Sequence, residues 1–146
     1  MKRIARSAIV EHSADEMYAL VDDIESYPRF LPWCVGAAVR QVGQAKRATL
    51  TAKLGTIRQA FTTLNENQPG EGIAMRLVEG PFREFAASWR FTPLSDEACR
   101  IDFALRYQFA SRAVSAVLQP LFDNIADTMV DAFTRRADEI HGSHPR

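Results

Sequence analysis

Between Arg112 and Ile140 apolar residues recur at Val114, Leu118, Leu121, Phe122, Ile125, Met129, Val130, Phe133 and Ile140. Intervals of three and four mark an amphipathic helix. On a helical projection Leu118, Phe122, Ile125, Met129, Phe133 and Ile140 share one side, and Asp123, Asp127 and Asp131 take the opposite, solvated side. Such a helix is about 43 Å long, enough to cross a whole sheet. Its stripe must be covered by an apolar surface of similar length, and this constrains the fold more than any other feature. Ser111 is placed to cap its start. Pro120 lies inside it and is expected to kink it or split off its first turns.

The upstream chain supplies the covering surface. Ile4 to Glu11 reads as a strand in which Arg6 interrupts one face. Ser13-Ala14-Asp15-Glu16 is a capping box, followed by Met17, Leu20, Val21 and Ile24 as the buried side of a short helix that stops near Ser26, before Pro28. Strands then follow: one beginning around Ala37 and Val39, then Ala48–Leu54, Ile57–Asn65 and Gly72–Glu79, with turns at Gly43-Gln44, Gly55 and Asn67–Gly70. The two clearest are last. Phe85, Ala87, Trp89 and Phe91 alternate with Glu84, Ala86, Ser88 and Arg90, and Cys99, Ile101, Phe103, Leu105, Tyr107 and Phe109 alternate with Arg100, Asp102, Ala104, Arg106 and Gln108. Period two with one apolar face indicates an antiparallel hairpin, reversing over Pro93–Glu97. His141 to Arg146 reads as a frayed tail.

Strands joined by tight turns, with one long apolar helix to cover them, predict a single α+β domain over residues 1–146. A curved antiparallel sheet of about seven strands wraps around the C-terminal helix, with a short helical region after the first strand. Ala37, Ala48, Ala52, Ala60, Ala74, Ala87 and Ala104 are spread over the strands. On an inner face such small residues would leave a cavity between sheet and helix. Its expected lining is Met75, Leu77, Phe85, Trp89, Phe103, Leu105, Tyr107, Leu118, Phe122 and Ile125. The rigid apolar segment Tyr27-Pro28-Arg29-Phe30-Leu31-Pro32-Trp33 reads as a plug closing one end of the core and, compatibly with that, as a cavity entrance or a membrane- or partner-facing patch.

Eighteen basic residues balance eighteen acidic ones, so no overall charge drives nonspecific binding to nucleic acid. No apolar run reaches the roughly 20 residues of a membrane span, and no signal peptide follows Met1-Lys2-Arg3. A cytoplasmic protein with reduced Cys34 and Cys99 is expected. HExxH, CxxC, GxSxG, P-loop and GxGxxG patterns are missing. His12 stands alone at a strand end, either structural or a polar group near the cavity. Arg58, Arg76, Arg83, Arg90, Arg100 and Arg106 stud the strands, either as a solvated outer face or as a basic surface for an acidic partner such as ribosomal RNA. Neither a catalytic centre nor a metal site is expected.

Asp22-Asp23-Ile24-Glu25-Ser26-Tyr27-Pro28-Arg29-Phe30-Leu31-Pro32-Trp33-Cys34 resembles the signature of the coenzyme Q-binding, START-like family. So does Gly80-Pro81-Phe82-Arg83 followed by Trp89-Arg90-Phe91. Phe91 to Ile101 and Met129 to Ala137 look like the bacterial RatA branch of ribosome-association toxins. The resemblance implies a helix-grip fold and two functions. One is non-enzymatic: a polyisoprenoid quinone of the ubiquinone type held between sheet and helix, supporting respiration, with no cofactor required. The alternative is binding to the large ribosomal subunit that blocks subunit association. A cyclase- or aromatase-like enzyme shares the fold, and here only His12 and Tyr107 could supply its polar groups. Transient membrane contact is compatible with the first reading; a DNA partner is expected for none.

Overall fold

The structure is a computed structural model that describes residues 1–142. Its elements are β1 (Lys2–Val10), α1 (Ala14–Asp22), a 3-10 helix (Ile24–Arg29), β2 (Cys34–Val42), β3 (Ala45–Leu54), β4 (Ile57–Gln68), β5 (Gly72–Glu79), β6 (Phe82–Ser95), β7 (Ala98–Phe109) and α2 (Arg112–His141). The strands form one seven-stranded sheet in the order β1-β7-β6-β5-β4-β3-β2. Every pairing is antiparallel. β2 to β7 run as a meander, and β1 closes the far edge against β7. This is the helix-grip architecture expected above.

Local chemistry explains the boundaries. Ser13 accepts from the Glu16 backbone and the Glu16 carboxylate accepts from the Ser13 backbone, so two orphan donors of α1 are satisfied. α1 ends at Asp22, earlier than expected, and the chain tightens into a 3-10 helix that runs through Pro28 rather than opening into a loop. Pro93 stays within β6, at a register shift, and the reversal narrows to Asp96-Glu97. Ser111 caps α2 through the Val114 backbone. Pro120 does not split α2, which runs unbroken from Arg112 to His141 with Pro120 exposed.

α2 buries Leu118, Leu121, Phe122, Ile125, Ala126, Phe133 and Ala137. The expected stripe holds at four positions. Met129 is half-buried, while Ile140 is 51% exposed, its place taken one turn earlier by Ala137. The aspartate side is not simply solvated. Lys2 Nζ lies 3.1 Å from Asp123 and Arg6 Nη2 3.2 Å from Asp127, so edge strand β1 is tied to the helix. Arg6, which breaks the alternation of β1, is the residue that reaches across. Asp131 pairs instead with Arg135 at 3.3 Å. The far end of α2 is tied to α1 and its approach: His12 Nε2 meets Asp138 at 2.7 Å and His141 Nδ1 meets Glu16 at 2.9 Å. His141 therefore ends the helix rather than beginning a frayed tail; residues 143–146 lie outside the described residues.

Candidate functional site

Two aromatic blocks fill most of the space between sheet and helix. At one end Phe82 stacks on Phe109 at 5.3 Å and meets Phe122 edge-on at 5.1 Å, with Tyr107 5.7 Å from Phe122. At the other end Phe133 receives Tyr27 at 5.2 Å, Phe30 at 5.1 Å and Trp89 at 5.2 Å, each close to perpendicular. Edge-to-face geometry suits the aromatic quadrupole. Between the blocks lies an apolar cavity of about 60 Å³.

Seven of the expected lining residues meet there: Met75, Phe85, Trp89, Phe103, Leu105, Phe122 and Ile125. Leu77, Tyr107 and Leu118 do not reach it. Tyr107 belongs to the first aromatic block, and its hydroxyl accepts from Gln119 at 2.8 Å. Leu118 is buried, and Leu77 is half-buried near Gly80. Of the proposed entrance, Tyr27 and Trp33 line the cavity directly and Leu31 is buried, while Pro28 and Pro32 are exposed. Phe30 is half-buried under the Arg136 guanidinium, 5.2 Å above its ring. The segment is thus a plug, held by the Tyr27 hydroxyl donating to the Val21 carbonyl.

Ala48 and Ala87 line the cavity and Ala52 is buried, as small inner-face residues should be. Ala60, Ala74 and Ala104 are exposed on the outer face and leave no internal space. Sequence reading missed Thr63 and Asn65, neighbours on the inward face of β4 that also line the cavity. Their signal is polar side chains at inward positions of a period-two strand, which must be satisfied or used. Thr63 Oγ1 donates to Asn65 Oδ1 at 2.7 Å. Trp33 is 2% exposed, and its Nε1 is buried with no hydrogen-bond partner. The cavity wall is therefore largely apolar, with Thr63 and Asn65 among its lining residues.

Burial raises the Tyr27 and Tyr107 hydroxyls and the Cys34 thiol above their ordinary values, and pushes the Cys99 thiol up to about 11. All four stay protonated at neutral pH. His12 sits beside α1 and α2 on Asp138, not in the cavity wall. Among the described residues no cluster of His, Cys, Asp and Glu could hold a metal ion. Among the described residues no helix is long and apolar enough to cross a membrane. Of the strand arginines, Arg76 pairs loosely with Glu66 at 3.8 Å and Arg100 with Asp102 at 3.2 Å, and Arg90 lies across from Asp102.

Comparison with known proteins adds what geometry does not. Residues 10–134 match the family described as polyketide cyclase / dehydrase and lipid transport. The chain is 42% identical over 145 residues to the "Ribosome association toxin RatA" of Escherichia coli (strain K12), covering 98% of this chain and 91% of that protein. It is 28% identical over 148 residues to the mitochondrial "Coenzyme Q-binding protein COQ10 homolog B" of Xenopus laevis, covering 97% of this chain and 61% of that one. Among solved structures, the Zhui aromatase/cyclase of Streptomyces sp. R1128 superposes with a TM-score of 0.83 at 14% identity, over 98% of this chain and 99% of that one, a likeness of fold alone. The chain belongs to the polyketide cyclase / dehydrase and lipid transport family, with homologues among the RatA proteins.

Proposed function

We propose that this protein is a non-enzymatic, ribosome-associating protein that binds the large subunit and hinders its joining to the small one. The observation that carries this reading is 42% identity over 98% of the chain to a protein named as a ribosome association toxin. The coenzyme Q-binding relative is more distant, at 28%. The hydroxyls of Tyr27 and Tyr107 and the thiols of Cys34 and Cys99 stay protonated at neutral pH, and His12 lies on Asp138 away from the cavity, which supports a non-enzymatic reading. The test is a sedimentation profile of ribosomal subunits from the protein's own cells, mixed with increasing amounts of the chain. Joined ribosomes should fall and separate subunits rise, with the protein travelling with the large one. An unchanged profile with the protein left at the top of the gradient overturns the reading.

One observation favours a second function. The largely apolar cavity is lined in part by Trp33 and Asn65, residues that carry N–H donors, a composition that would suit an apolar ligand bearing carbonyl oxygens, a class that includes quinones. Size weighs against it. A cavity of about 150 Å³ takes one benzene ring, and the space here is about 60 Å³. A quinone ring would enter only if the plug from Tyr27 to Trp33 moved outward. Mass spectrometry of an organic extract of protein purified from its own cells decides this. A stoichiometric quinone supports the second function, and an extract without one counts against it.

A further inference from the structure

We propose that the outer face of the sheet is a surface for an RNA backbone, organised by a transverse row of five arginines. The row is invisible in the sequence and appears only in the strand register. Arg3 on β1 pairs with Arg106 on β7, Arg106 with Ala86 on β6, and Ala86 with Arg76 on β5. Arg76 then pairs with Leu64 on β4, Leu64 with Arg47 on β3, and Arg47 with Arg40 on β2. One line perpendicular to the strands therefore crosses all seven. At about 4.8 Å per strand it is about 29 Å long.

Strand alternation sends these side chains outward. Met75, Leu105 and Ala48, each next in sequence to a row arginine, line the internal cavity. Beside the row runs a second line, Ala5–Ala104–Ser88–Ala74. Its short side chains leave a shallow hollow of about 370 Å³ bounded by Arg3 and Arg106, so a partner can approach the sheet closely.

Like charges placed directly across strands destabilise a sheet. The row contains two such pairs, Arg3 with Arg106 and Arg40 with Arg47. Among the described residues the only acidic partner of a row member is Glu66, 3.8 Å from Arg76 with both side chains exposed. Such a pair neutralises little. The charge is thus concentrated although the chain is neutral overall. Guanidinium groups match phosphate with paired parallel hydrogen bonds. A polyanion lying along the row could meet all five, which a single acidic side chain could not. This inference deepens the ribosome reading and rests on it for its choice of RNA.

Binding of the full chain to purified large subunits would be measured between 50 and 200 mM salt. If all five arginines meet phosphates, the affinity of the wild type should fall about 100- to 500-fold over that range. Arg47→Gln/Arg76→Gln/Arg106→Gln should bind at least tenfold more weakly at low salt, with a salt slope shallower by about 2–3. Arg29→Gln/Arg112→Gln/Arg135→Gln removes equal charge from exposed positions off the sheet and should bind as the wild type does. Circular dichroism establishes that both variants are folded. A duplex RNA oligonucleotide serves as a second probe and should show the same ranking. Equal binding of the two triple variants to both probes overturns the row. Row-dependent binding to subunits but none to duplex RNA overturns the RNA assignment in favour of an acidic protein. Failure of the wild type to bind subunits, with row-dependent binding to duplex RNA, sinks the ribosome reading and leaves the surface standing.

Discussion

Phe133 is the residue on which the plugged end of the molecule depends. It is fully buried, and three rings meet it at 5.1–5.2 Å: Tyr27 and Phe30 from the plug and Trp89 from β6. Phe133→Ala would remove the ring that all three share and extend the neighbouring cavity. Truncation of a buried Phe costs about 3–5 kcal/mol, a large part of the 5–15 kcal/mol typical of a whole domain. For a chain of this size that corresponds to a fall in Tm of about 6–20 °C. Phe133→Leu keeps most of the volume and loses the edge contacts, so about 1–2 kcal/mol is expected. Urea unfolding followed by circular dichroism and tryptophan fluorescence measures both, and Trp89 lies close enough to report on the site. A loss below about 1 kcal/mol for Phe133→Ala, at unchanged m value, would refute the view that this cluster holds the plug.

Three further outcomes are expected. A Cβ on Gly72 would lie 2.6 Å from the Trp89 carbonyl oxygen, so Gly72→Ala should destabilise the sheet by about 1–3 kcal/mol; a Cm equal to that of the wild type contradicts the close approach. Cys99 is buried with its thiol pushed up to about 11, and burial also raises Cys34. Neither should react with a thiol reagent at pH 8 within minutes, whereas both should in denaturant; rapid labelling of the native protein would contradict this. The Glu16 carboxylate is held below its ordinary value chiefly by the Ser13 backbone N–H. Its stabilisation is complete above the unfolded value and lost as the pH falls through the folded one. Glu16→Gln should therefore lower Tm at pH 6 and converge with the wild type in acid; a pH-independent difference would count against the linkage.

Elements were legible in the sequence where the signal was local. The Ser13–Glu16 box, the alternation of Phe85 to Phe109 and the stripe through Leu118, Phe122, Ile125 and Phe133 each lie within one stretch of chain, and each took its expected form. Much of the cavity wall followed from the same periodicities. What failed depended on distant residues. Asp123 and Asp127 looked solvated because Lys2 and Arg6, their partners, are each 121 positions away. Tyr107 and Leu118 were expected in the cavity because periodicity gives the face of an element but not how far along it the space is already filled. Alternation already put Ala104 on the polar face of its strand, whereas Ala60 and Ala74 sit in strands whose alternation was less clear.

The position of β1 has a consequence for the order in which the molecule can form. Its partner is the last strand of the meander, and its helix contacts come from still later in the chain. During synthesis β1 emerges first and waits, unpaired, until β7 has been made. The inner face of the sheet stays bare until α2 follows. Pairing across such sequence separations is slow, because loop-closure entropy is lost before the contacts compensate it. A stop codon within α2 would therefore not trim an appendage; it would leave an uncovered apolar sheet prone to aggregation.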